Sequence, residues 1–296
     1  MLTGMLPGSK PSPMTMEAEP GQDSVDPPAS GEFREKIWRY YREYRRDLPW
    51  RNTTDPYRIL VSEIMLQQTQ VERVNVKYPA FIDAFPDFPS LANAPLSEVL
   101  AAWQGLGYNR RAISLQECAR RVVEEHDAIL PQDPEILESF PGIGRATAAS
   151  VCAFAFNMPV VFIETNIRRV FIHFFFSGDD PVHDTDILPL VKKALYRKNP
   201  RIWYWALMDM GSTLKKTVPN PNRRSTQYTR QSAFAGSDRE IRGKIIRTVL
   251  LCPGQDREDL IQKTGDDKER VQRIISSLEK EGFLTKTGKG VAIRSR

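Results

Sequence analysis

The chain has 296 residues, of which 41% are hydrophobic and 27% charged, a composition that suits two or three packed units. No window nears the roughly 18 consecutive apolar residues that a membrane span needs, so no membrane partner is expected. A net charge of +5 and a pI near 9.1 allow a nucleic-acid partner without requiring one.

Residues 1–30 are rich in Pro, Ser, Gly and Asp and lack a basic region followed by an apolar core. They read as a disordered tail and not as a secretory signal. Residues 33–50 place Ile37, Tyr40, Tyr41 and Tyr44 at helical spacing, with arginines between them. Residues 57–85 are mostly helical. Residues 95–107 open at Pro95 and stop at Gly105 and Gly107, and residues 110–127 are amphipathic. The stretch 133–156 reads as two helices around a glycine-rich hairpin, and 168–176, 185–196 and 200–214 continue the helical pattern. Strand-like alternation is nearly absent from 31 to 217, which predicts an all-α body of short helices.

A polar stretch follows at 215–237, with prolines and several basic residues. It is expected to be a linker able to touch nucleic acid. Residues 238–296 hold three helical segments and a hairpin with Gly288 and Gly290 at its tip. This order resembles a winged helix-turn-helix domain. Its third helix could enter a DNA groove through Lys268, Arg270 and Arg273, or the unit could serve dimerisation or packing.

Cys118, Cys152 and Cys252 are far apart and form no C-x-x-C pair. Disulfides and a cysteine-built metal site are therefore not expected, and a reducing intracellular setting fits.

Two stretches carry chemistry. In "LESFPGIGRATAASV", Gly142 and Gly144 flank Ile143 between two helices. Small residues let backbone approach a ligand, and the amides opening the next helix favour an anion. The pattern matches the helix-hairpin-helix motif, which grips a DNA phosphate without reading sequence; Arg145 adds a charge. A plain helix–helix turn also uses glycine. In "PVVFIETNIRRV", an apolar run ends at Glu164, followed by Asn166, Arg168 and Arg169. The acid either does chemistry or pairs with an arginine at a helix start.

The hairpin, followed downstream by an acid and then x-N-Φ-x-R, resembles the base-excision DNA glycosylase superfamily. Within it, "LPWR" (48–51), "DPYRILVSEIMLQQTQVERV" (55–74), "WQGLGYNRRA" (103–112) and "FPGIGRATAASV" (140–151) are similar to the MutY-type adenine DNA glycosylases. The resemblance implies a two-lobed fold with a discontinuous chain: 59–165 as one lobe, 31–58 with 166–235 as the other, and 236–296 as the winged-helix-like addition. It implies an enzyme that flips a mismatched or damaged base, foremost adenine in a mispair, from duplex DNA and hydrolyses its N-glycosidic bond. Another base, such as a mismatched thymine or uracil, hypoxanthine or a bulkier lesion, is the alternative, as is a non-catalytic DNA-binding protein.

Residue by residue, Glu63 falls on the family's general acid; its neighbours Ile59, Leu60, Val61, Ile64 and Leu66 are apolar, and burial would keep it protonated. Glu164 stands where the family has a sugar-side aspartate, one methylene shorter, and Asn166 matches the neighbouring asparagine. Gln68 and Tyr108 match residues that enter the base stack. Arg51, Leu66 and Ala146 match base-pocket positions. Ala146 also occupies the place of the lysine nucleophile of bifunctional relatives, so no β-lyase activity is expected. Trp103 reads as core. Lys215 stands at the first of four cysteine positions that hold an iron–sulfur cluster in the family, and no cysteine follows. The chain thus resembles clusterless members, with Lys215, Lys216, Arg223 and Arg224 left for phosphates. No cofactor is required on this reading, although a K+ or Na+ ion at the hairpin is compatible with it. A winged-helix-like unit is expected in the place of the domain with which many family members recognise 8-oxoguanine opposite adenine. A monomer acting on damaged or mispaired double-stranded DNA is expected, cytoplasmic and nucleoid-associated.

Overall fold

The computed structural model describes residues 28–296, apart from positions 232, 289 and 296 and the side chains of 28–30. The tail expected at 1–30 lies outside the described residues, save that a helix already begins at Pro28.

In chain order come α1 (Pro28–Tyr44), a 3-10 turn (Pro49–Arg51), α2 (Pro56–Leu66), α3 (Val71–Ala84), α4 (Phe88–Asn93), α5 (Leu96–Ala102), α6 (Arg110–Glu125), α7 (Pro134–Glu138), α8 (Arg145–Phe156), α9 (Thr165–Phe175), α10 (Asp184–Ala194) and α11 (Pro200–Thr217). After a second 3-10 turn (Pro221–Arg224) come α12 (Asp238–Leu251), β1 (Gln255–Asp256), α13 (Arg257–Thr264), α14 (Lys268–Lys280), β2 (Leu284–Thr287) and β3 (Gly290–Ile293). The mostly helical architecture predicted for the body is what the chain adopts.

Many helix starts are written locally. Asp55, Asp87, Asp133 and Asn199 each precede a first turn containing proline, and each side chain accepts a backbone amide of that turn. The mostly helical stretch 57–85 forms two helices, broken at 67–70 where Gln68 takes a left-handed backbone. The 33–50 segment likewise ends its α-helix at Tyr44.

Buried side chains form two clusters. One joins α2–α8 and runs on into the C-terminal unit; the other joins α1, α9, α10 and α11. Helix α8 serves both: Ala148, Val151 and Cys152 face the first, while Ala149, Ala153 and Phe154 face the second. A helix apolar all round belongs between two cores. Leu48, Trp50 and Tyr57 pack with the first cluster, so the lobe boundary expected at 58 falls earlier for side-chain packing. The "HFFF" run packs around Phe33, with Phe171, Phe174, Phe175 and Trp203 rings 4.9–6.2 Å from it.

In the C-terminal unit, β3 lies between β1 and β2, antiparallel to both. Lys268 pairs with Glu258 at 3.0 Å, Arg270 with Asp238 at 2.6 Å, and Arg273 with Asp238 at 3.6 Å. The basic face of α14 therefore already carries acidic partners.

The linker expected at 215–237 is folded for much of its length. Lys215, Lys216 and Thr217 complete α11. Arg224 then donates to the carbonyls of Phe176, Ser177 and Asp180, and Val182 bridges to Ser225. Asn222 is buried and donates to Thr165 O at 2.8 Å. Carbonyls left open by the turn after α9 supply the acceptors that hold this stretch down.

Helices α9 and α11 cross so closely that a Cβ on Gly211 would stand 2.4 Å from Asn166 O. Gly211→Ala is expected to destabilise the protein by about 1–3 kcal/mol, because backbone cannot yield as a side chain can. Urea unfolding of the two proteins measures this; an unchanged midpoint would contradict it.

Candidate active site

Glu63 lies on α2 and Glu164 immediately before α9, near enough for the charge of Glu164 to act on Glu63. Glu63 is half-buried as a residue, but its carboxyl group is enclosed. Burial pushes its pKa up to about 7, and the neighbouring Glu164 charge pushes the same way, against a hydrogen bond from Ser150 and the charge of Arg51. Ser150 Oγ lies 2.6 Å from Glu63 Oε2 and 3.0 Å from Thr147 O. With Glu63 protonated, its O–H can donate to Ser150, which donates onward to Thr147 O. Ser150 was not singled out from sequence; a buried hydroxyl in the apolar run of α8 is its only signal.

Glu164 caps α9. Its Oε1 accepts from Asn166 N at 2.7 Å and Ile167 N at 2.8 Å, while Oε2 receives a longer bond, 3.3 Å, from Asn166 Nδ2. Burial raises its pKa above the ordinary carboxyl value despite these amides and the charges of Arg169 and Arg168. The two arginines are engaged elsewhere. Arg168 forms a two-bond pair with Asp184, both at 2.7 Å. Arg169, 3% exposed, donates to Asn166 Oδ1, Gly211 O and Asn220 Oδ1. Asn166 is thereby fixed between Glu164 and Arg169.

Arg51, expected in a base pocket, has both terminal nitrogens engaged. Its Nη1 and Nη2 each reach Asp209 at 2.8 Å, and Arg46 joins the same carboxylate at 2.7 Å. It stands near enough to Glu63 to lower that group's pKa, but its hydrogen bonds serve the anchor to α11. Asp209, fully enclosed with two arginines, was missed from sequence: nothing local marks it as their partner. Leu66, half-buried, packs on the first core, and Ala146 is exposed on the first turn of α8.

Gly142 has a left-handed backbone, and a Cβ there would meet Ser114 Cβ at 2.8 Å. Gly144 has open space around it and gives α8 no side-chain cap, so the first amides of that helix remain for another acceptor. Arg145 is exposed beside them. Gln67 Nε2 ties the hairpin to the end of α2, at 3.2 Å from Gly142 O. Gln68 is exposed and Tyr108 half-buried, and both have left-handed backbones. The Tyr108 hydroxyl contacts Gln231 and accepts from Arg239 Nη1 at 2.6 Å, both from the C-terminal side of the chain. Trp103 is fully buried. Lys215 and Lys216 stand exposed in the last turn of α11, apart from the carboxyl pair.

The residues present do not fit an iron–sulfur cluster: Cys118 and Cys152 are core thiols that donate to Pro141 O and Gln132 O, and burial pushes them up to about 12 and about 11. The hairpin carbonyls of Pro141 and Gly142 accept bonds from Cys118 and Gln67, leaving second lone pairs that a K+ or Na+ ion could share.

Because the fold raises Glu63 above the ordinary 4.5, its contribution to stability is fully present below that value and lost as pH rises through about 7. Glu63→Gln is expected to be more stable than the parent at pH 8 by about 1–3 kcal/mol, with the gap closing toward pH 5. Denaturant unfolding at both pH values checks this; a pH-independent difference would count against enclosure of the carboxyl.

Residues 61–188 match the HhH-GPD superfamily base excision DNA repair protein family. The chain is 32% identical over 276 residues to the adenine DNA glycosylase of Mycobacterium tuberculosis (strain ATCC 25618 / H37Rv), covering 85% of this chain and 90% of that one. It is 34% identical to the Homo sapiens adenine DNA glycosylase, across 79% of this chain and 44% of the human protein. Among solved structures, a thermostable thymine-DNA glycosylase superposes with a TM-score of 0.58 at 25% identity, over 66% of this chain and 91% of that one. An endonuclease III–DNA covalent intermediate superposes with a TM-score of 0.53 at 18% identity, over 60% and 82%, and shares the fold. The chain belongs to the HhH-GPD superfamily of base excision DNA repair proteins, within the family of the adenine DNA glycosylases.

Proposed function

We propose that the protein is a monofunctional DNA glycosylase that removes adenine from a mispair in duplex DNA. The observation that carries the reading is a buried carboxyl, Glu63, whose pKa burial raises to about 7, beside a second buried carboxyl, Glu164. Glu63 gives its proton to a ring nitrogen of the flipped base, and the bond between that base and C1′ of the sugar breaks. The sugar passes through an oxocarbenium-like state whose positive charge the Glu164 carboxylate offsets. Water adds at C1′ and gives up a proton to Glu63, restoring the enzyme. Asn166 holds Glu164 in place. The uncapped start of α8, with Gly142, Gly144 and Arg145, takes a phosphate, and Lys215 and Lys216 take others. Gln68 and Tyr108 fill the gap left in the stack.

Ala146 offers no amine, so no Schiff base forms and the product is an abasic site. No metal takes part in the hydrolysis on this reading. Residues 236–296 form a winged-helix-like domain on a body of 31–235; duplex contact through α14 would first have to displace Glu258 and Asp238. The protein works as a monomer on DNA in the cytoplasm, at the nucleoid.

A second reading has two supports. Ala146 leaves room beside the pocket, and the 25%-identical structural relative is a thymine-DNA glycosylase. A mismatched thymine or a bulkier lesion is the alternative substrate.

Duplexes with single defined mismatches or lesions, incubated with the protein and then cleaved with hot alkali, separate these readings. Breaks at adenine, lost by at least a thousandfold in Glu63→Gln, are expected; breaks only at thymine favour the second reading, and tight binding without breaks would refute both. Borohydride should trap no adduct. The single-turnover rate should fall as pH rises through about 7, as Glu63 loses its proton, and should fall again in acid below the raised pKa of Glu164. A rate flat from pH 5 to 9 would remove Glu63 as the acid.

A further inference from the structure

Arg111 lies in the first turn of α6, where the helix dipole disfavours a cation. Its guanidinium turns away to the carbonyl end of α2, where the dipole favours one. Nη1 reaches Ile64 O at 2.8 Å, Met65 O at 2.8 Å and Gln67 O at 2.6 Å. Nη2 reaches Thr69 Oγ1 at 2.9 Å, Leu106 O at 3.1 Å and Gly107 O at 3.0 Å. The guanidinium also lies 5.4 Å from the Trp103 ring and 5.6 Å from the Tyr108 ring.

The acceptors are not scattered. Gln67 and Thr69 bracket Gln68, and Gly107 directly precedes Tyr108. Gln68 and Tyr108 have φ of 54° and 46°, a region that non-glycine residues hold only where their surroundings over-determine it. One planar side chain thus fixes both strained loops relative to each other.

We propose that Arg111 is the positioning residue that sets Gln68 and Tyr108 as a paired wedge, so that both loops enter the base stack together. The inference rests on the reading of those two residues as stack-entering. Arg111 itself touches no base. A lysine would keep a charge, but its ammonium is a single point and cannot bridge two loops.

The test uses the full chain with Arg111→Lys and, because that variant could fail to fold, Thr69→Val, which removes one loop-side acceptor and leaves the guanidinium. Two duplexes are compared in single turnover: the target adenine in a stacked mispair, and the same adenine in an unpaired multi-base loop, where stacking is already weakened. Arg111→Lys should lose at least tenfold on the first and less than threefold on the second, with Thr69→Val changing in the same direction by a smaller factor. Fluorescence of 2-aminopurine placed beside the target should rise when the parent binds and fail to rise with Arg111→Lys. Equal loss on both duplexes, or no loss on either, would overturn the proposal, as would an unchanged fluorescence response; if Arg111→Lys does not fold, Thr69→Val decides by the same criteria. Should the parent excise nothing, the glycosylase reading fails, while the fluorescence response still tests Arg111.

Discussion

Enclosing two carboxyl groups at one seam is the constraint around which the body is arranged. Taking a carboxylate out of water is costly unless it is neutralised or well bonded. The protein uses both solutions side by side. Glu63 is left with a single hydroxyl partner, Ser150, and its pKa rises to about 7. Glu164 receives two helix amides and the Asn166 side chain. Like neighbours thus have unlike surroundings.

That difference depends on elements distant from the carboxyls. Asn166 is held by Arg169, and Arg169 by Gly211 O and Asn220. The close α9–α11 crossing that brings Gly211 to Asn166 is possible because Gly211 lacks a side chain. Beyond α11, the stretch where relatives are expected to carry a metal cluster is pinned to the turn after α9 by Asn222 and Arg224. Hydrogen bonds from ordinary side chains organise this edge of the body.

What could be read from sequence was what is local. The hairpin followed from two glycines and a proline, and the enclosure of Glu63 from its apolar neighbours. What could not be read depends on distant partners. Asp209, 158 positions on, could not be read as the partner of Arg51, because nothing near either residue marks the pair. The break at 67–70 carries no glycine or proline; carbonyls freed there are taken by Arg111, across 44 positions. Residues 215–226 are polar and rich in breakers, as a linker is, but their polar groups have acceptors elsewhere in the fold. Tertiary partners overrode local composition in each case.

The Arg51–Asp209 pair also sets an order in time. Synthesis runs from the N-terminus, so α2, with Glu63, emerges well before the parts that enclose it. Ser150 is 87 positions behind Glu63, and Asp209 is 158 behind Arg51. Closing loops of that length comes late because their entropy is lost before their contacts are gained. Until α11 has emerged, Arg46 and Arg51 lack their carboxylate and Asn166 lacks its packing partner. A nascent chain thus carries the Glu63 carboxyl in water, and gives it its buried hydroxyl partner only once the helix bearing Ser150 has been made.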